Sequence, residues 1–262
     1  QTMSTLFQQQ ATPYVKKPER FLEEAFISAH EEIHRYRIAN SLPETPRTTV
    51  VACLIQHNHA IWAHCGDSRL YLLRRGQIVG RTLDHSHIEH LISKGLANPA
   101  ERSTHPDRNK LYNCIGATAL PRVEVSRSHG LQSGDVLMLC SDGLWSMLSD
   151  EEIVLRLTTQ TIVRAIPDMI ASATTLAGER SDNTTALAIM WQGGDEDEAQ
   201  APPTAGTGAV ISTMTLQEHQ VSTMMQNGPE PEVDYDAFDE DEIEKAIAEI
   251  RGAIEKSSQI LK

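Results

Sequence analysis

The sequence predicts an α+β fold in which a helical section precedes an antiparallel β meander, with two more buried strands and a helix pair behind it. Three observations predict it. Residues 18–40 repeat apolar side chains at helical spacing; four short apolar or alternating runs crowd between positions 48 and 81; and apolar runs at 136–140 and 183–191 bracket two further helical patterns. The four runs are separated by only a few turn-forming residues. Parallel neighbours need crossovers of a dozen residues or more, so these strands pair antiparallel.

Each element has its own local reason. Residues 1–9 read as a helix without a beginning, and residues 18–40 as a helix whose Pro18 suits the first turn, with Leu22, Ala25, Phe26, Ala29, Ile33 and Tyr36 on one stripe. That helix contains His30-Glu31-Glu32-Ile33-His34, which matches the HExxH zinc motif. The two histidines lie at the edge of the apolar stripe, Glu31 points nearly away from it and no third ligand follows nearby, so the segment reads as a solvated helix flank. Strands are expected at 48–55, 60–65, 70–74 and 77–81, divided by 56–59, Gly66-Asp67-Ser68 and Arg75-Gly76. A short helix over 88–95 and a long polar stretch over 97–109 follow, then strands at 123–128 and 136–140. Helices at 150–157 and 161–176 come next. Ser149 and Glu152 form a capping box for the first and Gly178 ends the second.

The chain of 262 residues carries a formal net charge of −13, unevenly spread. Residues 1–191 hold 20 acidic and 19 basic side chains, residues 192–262 hold 16 and 4. A near-neutral body with an acidic tail offers no basic footprint for nucleic acid or an anionic membrane. No apolar run reaches the roughly 18–20 residues that span a bilayer. Cys53, Cys65, Cys114 and Cys140 stand singly in strand-like settings, which reads as reduced core cysteine in a cytoplasmic protein. The domains expected are a body over 1–191, an acidic disordered linker over 192–240 without one Lys or Arg, and an amphipathic helix over 241–262. In that helix Ile243, Ile247, Ile250, Ile254 and Leu261 form a heptad-like stripe, for docking on the body, for self-association or for a partner.

Chemistry concentrates at strand ends. The run 136–140 stops at Ser141-Asp142-Gly143, and a carboxylate at the lip of a buried strand costs several kcal/mol unless something positive meets it. Asp142 either caps the following helical turn or meets a metal ion. Asp182 stands just before the run 183–191. If the two runs are antiparallel neighbours, both acids reach the same sheet edge, a set of hard oxygen ligands suited to Mg²⁺ or Mn²⁺. Asp84 ends a third strand-like run and is a third candidate ligand, while His85, His87 and His90 beside it read as solvated loop residues.

Thr48-Thr49, Gly66-Asp67-Ser68-Arg69, Asp84-His85-Ser86, residues 111–116, Ser141-Asp142-Gly143-Leu144-Trp145 and Asp182-Asn183-Thr184-Thr185, in that order, resemble the metal-dependent serine/threonine protein phosphatases of type 2C in a bacterial form. The resemblance covers roughly residues 18–191. It implies two antiparallel β-sheets in a sandwich flanked by helices (α-β-β-α), and hydrolysis of phosphoserine and phosphothreonine in a phosphorylated protein substrate with a binuclear Mg²⁺ or Mn²⁺ centre. Asp142 and Asp182 would be catalytic and ligands of one ion, Asp84 would match a third, weaker site, residues 86–110 would form a flap beside the cleft, and Gly66 to Arg69 would be structural. The family's first strands and its Asp-Gly-Met-Gly-Gly segment have no counterpart among the 262 residues. The expectation is an N-terminally incomplete domain with unpaired strand edges, by truncation of a longer chain or as an inactive, phosphatase-fold regulatory or binding module.

Overall fold

The computed structural model describes residues 1–102, 105–193 and 210–215. It contains the helices α1 (Thr2–Gln10), α2 (Pro18–Ala39), α3 (His87–Ser93), α4 (Asp142–Trp145), α5 (Asp150–Thr159) and α6 (Ile162–Ala177). The strands are β1 (Val50–Gln56), β2 (His59–Cys65), β3 (Arg69–Arg74), β4 (Gln77–Arg81), β5 (Glu124–Val125), β6 (His129–Gly130), β7 (Val136–Cys140), β8 (Thr185–Met190) and β9 (Val210–Thr215). One antiparallel sheet runs β1-β2-β5, with β6 also on β2, and the other runs β4-β3-β7-β8-β9.

The period of two along each strand sorts its side chains between two layers. Leu70 and Leu72 of β3 and Leu137 of β7 meet Ala60 and Trp62 of β2 between the sheets. Their neighbours Tyr71, Leu73, Met138 and Cys140 face the other way, into the layer under α5 and α6. Ile61, Ala63 and Cys65 of β2 turn towards Phe21, Leu22, Ala25 and Phe26 of α2. The α-β-β-α sandwich expected from the resemblance is therefore present. A strand buried on both faces needs an apolar residue at every position, which is why β7 reads Val-Leu-Met-Leu-Cys without a polar break.

The capping box of α5 is formed, Ser149 accepting from the Glu152 N–H at 3.2 Å and Glu152 Oε2 from the Ser149 N–H at 2.9 Å. Gly178 ends α6 at φ 58°. All four cysteines are free thiols. No described helix is long and apolar enough to cross a membrane.

Three expectations are corrected. The strand expected over 123–128 shrinks to the two-residue β5, followed by β6: Glu124 and Val125 are in register with β2, the Ser126 hydroxyl accepts from the Trp62 N–H at 3.0 Å in place of a backbone carbonyl, and register resumes only at His129 and Gly130. The acidic linker expected over 192–240 contains β9, which pairs along the whole of β8 from Thr185↔Thr215 to Met190↔Val210. An edge strand's unpaired N–H and C=O groups accept a six-residue strand whatever the composition around it. His30 is not solvated: it is buried, its Nδ1 accepts from the Gly116 N–H at 3.1 Å and its ring meets His34 edge-on. The helix expected over 241–262 lies outside the described residues.

Candidate metal centre

Antiparallel pairing of β7 with β8, in the register Cys140↔Ala186, brings the residues after one strand to the residues before the other. Ser141 joins the two ends. Its hydroxyl donates to the Asn183 carbonyl at 2.9 Å and accepts from the Thr185 N–H at 3.0 Å. Gly143 makes this approach possible: a Cβ there would stand 2.7 Å from both the Asn183 carbonyl oxygen and Thr184 Oγ1. Glycine is required by the neighbouring strand rather than by a turn. Leu144 is fully buried beneath α6, and Trp145 reaches back across the sheet end. Asp142 is the first residue of α4, and its Oδ1 accepts from the Gly143 N–H at 2.9 Å, so it serves the helical turn and faces the cleft together. The Asp182 Oδ1 accepts from the Asn183 N–H at 2.7 Å.

Asp142 and Asp182 line the same cleft, of about 700 Å³, with Asp84, Arg81, Arg102, Arg108 and Asp150. Burial pushes the Asp142 carboxyl above the usual carboxylate range, and the charge of Asp182 adds to it. Among the described residues neither acid meets a Lys, Arg or His within 4 Å. Two like charges converging without a counter-charge are what hard divalent cations neutralise, and side-chain oxygens with open positions beside them suit Mg²⁺ or Mn²⁺. The residues present fit such a group.

Asp84 is placed at the same end but is otherwise engaged. Both its oxygens accept from Arg69, at 2.8 and 2.7 Å, and both side chains are buried. Burial alone would lower the Arg69 pKa; the hydrogen bonds and charge of Asp84 outweigh it and raise the pKa. Arg69 also donates to Tyr71 Oη at 3.1 Å, and its Cζ lies 3.6 Å from the centroid of a Trp145 ring. Tyr71 donates to Asp150 at 2.9 Å, which also receives Arg81 at 2.5 Å. A charged network thus floors the cleft beside Asp142 and Asp182.

The sequence reading missed Asp67, in the turn between β2 and β3. Burial first, then the charges of Asp142 and Asp84, push its carboxyl up to about 6. Its carbonyl accepts from Trp145 Nε1 at 2.9 Å. The signal available was a carboxylate two residues beyond a buried strand that ends in Cys65, as Asp142 stands two residues beyond Cys140. His85, taken as a solvated loop residue, is buried beside this turn. Arg102 is paired with Glu89 at 2.8 Å across the segment that walls the cleft.

An α-β-β-α sandwich with carboxylates gathered at one end of its sheets is the architecture that the resemblance to the type 2C phosphatases implies. A protein phosphatase 2C family model matches residues 2–90. The serine/threonine phosphatase stp of Listeria monocytogenes is 30% identical over 173 residues, 65% of this chain and 67% of that protein. The protein phosphatase PhpP of Streptococcus pneumoniae is 33% identical over 156 residues, 58% of this chain and 60% of PhpP. The catalytic domain of the serine/threonine protein phosphatase PstP, solved in complex with two manganese ions, superposes with a TM-score of 0.58 at 25% identity, over 71% of this chain and 77% of that one. The chain belongs to the protein phosphatase 2C family. It spans about 60% of the length of PhpP.

Proposed function

We propose that the protein is a metal-dependent protein serine/threonine phosphatase acting on phosphoserine and phosphothreonine in a protein substrate, with Mn²⁺ or Mg²⁺ at the acidic end of the sandwich. The observation that carries this reading is the convergence of Asp142 and Asp182, brought together by the β7–β8 register and by Gly143, in a cleft where no described cation pairs with either. A two-manganese structure of a relative supports the choice of metal.

Asp142 and Asp182 would hold the metal, and Asp84, tied to Arg69, would serve a weaker third position. When bound, divalent ions supply a nucleophile at neutral pH and neutralise charge on the phosphoryl oxygens. The chain's own residues do the rest. Ser141 and Gly143 fix the spacing of the two carboxylates. Arg69, Tyr71, Asp150 and Arg81 hold the cleft floor in one charge-balanced arrangement. None of the four cysteines acts as nucleophile. Burial pushes Cys53, Cys65 and Cys140 up to about 12 and raises Cys114 as well, away from the reactive thiolate.

The test is hydrolysis of a phosphothreonine peptide by the protein, before and after chelation. The expected result is loss of turnover with chelator, recovery with Mn²⁺, and loss of both turnover and Mn²⁺ binding in Asp142→Asn and Asp182→Asn. Turnover that resists chelation sinks the reading. The free cysteines suit a cytoplasmic protein, and the stripe over 241–262 suits a partner helix or self-association. Deleting residues 241–262, which leaves β9 in place, and comparing oligomer size tests the latter.

A further inference from the structure

A second cluster of chemistry-bearing side chains lies behind the cleft: His64, His85 and Glu124 each offer a ligand atom, all within 4.8 Å of one another. Two buried imidazoles and a carboxylate have the composition of a zinc set. The hydrogen bonds decide otherwise. His85 Nδ1 accepts from the Gly66 backbone N–H at 3.2 Å and from the Asn113 side-chain amide at 2.6 Å. The orientation of that amide is fixed, since Asn113 Oδ1 accepts from the Arg122 N–H at 3.0 Å and Nδ2 donates to the Arg122 carbonyl at 2.7 Å. His85 Nδ1 therefore carries a lone pair, and the proton of the neutral ring sits on Nε2, facing Glu124 Oε2 at 3.4 Å. A protonated Nε2 has no lone pair for a metal. His64 donates its Nε2–H to the Leu83 carbonyl at 2.6 Å and stacks on His85 at 4.5 Å between centroids.

The bonds that exclude a ligand make a joint. The His85 N–H donates to the Gly66 carbonyl at 3.0 Å while the Gly66 N–H donates to His85 Nδ1, a reciprocal pair across the β2–β3 turn. The His85 carbonyl accepts from the Tyr112 N–H at 3.1 Å. One residue thus ties the turn that carries Asp67, the strand end that carries Asp84 and the chain returning from residues 86–110. Only glycine fits the turn held by this bond: the φ of Gly66 is +108° and a Cβ there would lie 2.4 Å from Thr49 Cγ2. Trp145 holds the Asp67 carbonyl from the cleft side.

We propose that His85 is a positioning residue for the acidic centre, its Nδ1 bond to the Gly66 N–H setting where Asp67 and Asp84 stand relative to Asp142. The inference rests on the metal reading of Asp142 and Asp182. Residues one step behind a metal's ligands set its affinity, and losing one costs about 10–100-fold.

The experiment uses the full chain and three readouts: Mn²⁺ affinity by electron paramagnetic resonance, peptide-level hydrogen exchange over residues 64–69, and the thermal midpoint. In His85→Asn the side-chain oxygen falls near the place of Nδ1; in His85→Gln the amide falls near Nε2 and the acceptor for Gly66 is lost. His85→Gln is expected to weaken Mn²⁺ binding by about tenfold or more and to speed exchange over 64–69. His85→Asn recovers most of both at a thermal midpoint no higher than that of His85→Gln, and Glu124→Gln changes neither. Asn113→Ala, which frees one side of the imidazole, gives a milder loss, below about tenfold, and replaces His85→Gln if that variant does not fold. Equal Mn²⁺ affinity in the wild type and His85→Gln overturns the inference alone, as do losses in both His85 variants that merely follow their midpoints. A tight zinc site that disappears in Glu124→Gln overturns the proton assignment and the inference with it. A wild-type chain without Mn²⁺ affinity overturns the metal reading itself, and the positioning role falls with it.

Discussion

Replacing Asp67 by Asn tests whether the acidic end of the sandwich stores electrostatic stress. The Asp67 carboxyl is buried and pushed up to about 6, chiefly by burial, then by Asp142 and Asp84. An aspartate in the unfolded chain titrates near about 3.9. A folded pKa above the unfolded one means that the folded state holds the proton more tightly. The corresponding stability is fully present below about pH 3.9 and is lost as pH rises through about 6. The shift of about two units, at about 1.36 kcal/mol each, sets the loss at about 3 kcal/mol. Asp67→Asn keeps the shape and removes the charge, so in the metal-free protein it stabilises at neutral pH by up to about 3 kcal/mol, or about 6–12 °C in the melting midpoint. Below about pH 4 the two proteins converge, because both then carry a neutral side chain. Thermal unfolding in chelator across that pH range measures the difference. A gap that does not change with pH, or a less stable Asp67→Asn at neutral pH, refutes the reasoning.

Gly143→Ala places a methyl 2.7 Å from the Asn183 carbonyl oxygen, so it parts the ends of β7 and β8. Urea unfolding is expected to show a loss of about 1–3 kcal/mol, and Mn²⁺ titration a weaker site. Arg69→Met leaves Asp84 as a buried, uncompensated charge, with an expected loss of about 3–5 kcal/mol; adding Asp84→Leu recovers most of it in a double-mutant cycle. Ser149→Ala removes half of the α5 capping box at a cost of about 1 kcal/mol and leaves Mn²⁺ affinity unchanged.

The helices and strands were legible because local rules made them. The stripe of α2, the apolar runs of β3 and β7 and the Ser149–Glu152 box each depend on residues close in sequence. The Asp142–Asp182 pairing was legible too, since two carboxylates at the ends of buried strands meet whenever those strands are antiparallel neighbours. β9 was not legible, because six residues inside an acidic stretch form a strand only when β8 presents a free edge. Asp67 and His85 were missed for a related reason. Their polar neighbours in sequence suggest solvent, and only the closing of the β2–β3 turn against Tyr112, Asn113 and Trp145 buries them.

The sequence by itself determined most of the sandwich's elements and the meeting of Asp142 and Asp182 in one cleft. The tertiary structure alone decided which further carboxylates share that space, that Asp84 is committed to Arg69, and that the proton of His85 rests on Nε2. Those outcomes depend on dielectric surroundings and on hydrogen-bond partners distant in the chain, such as Gly66 and Asn113 for His85, which pattern and spacing do not encode.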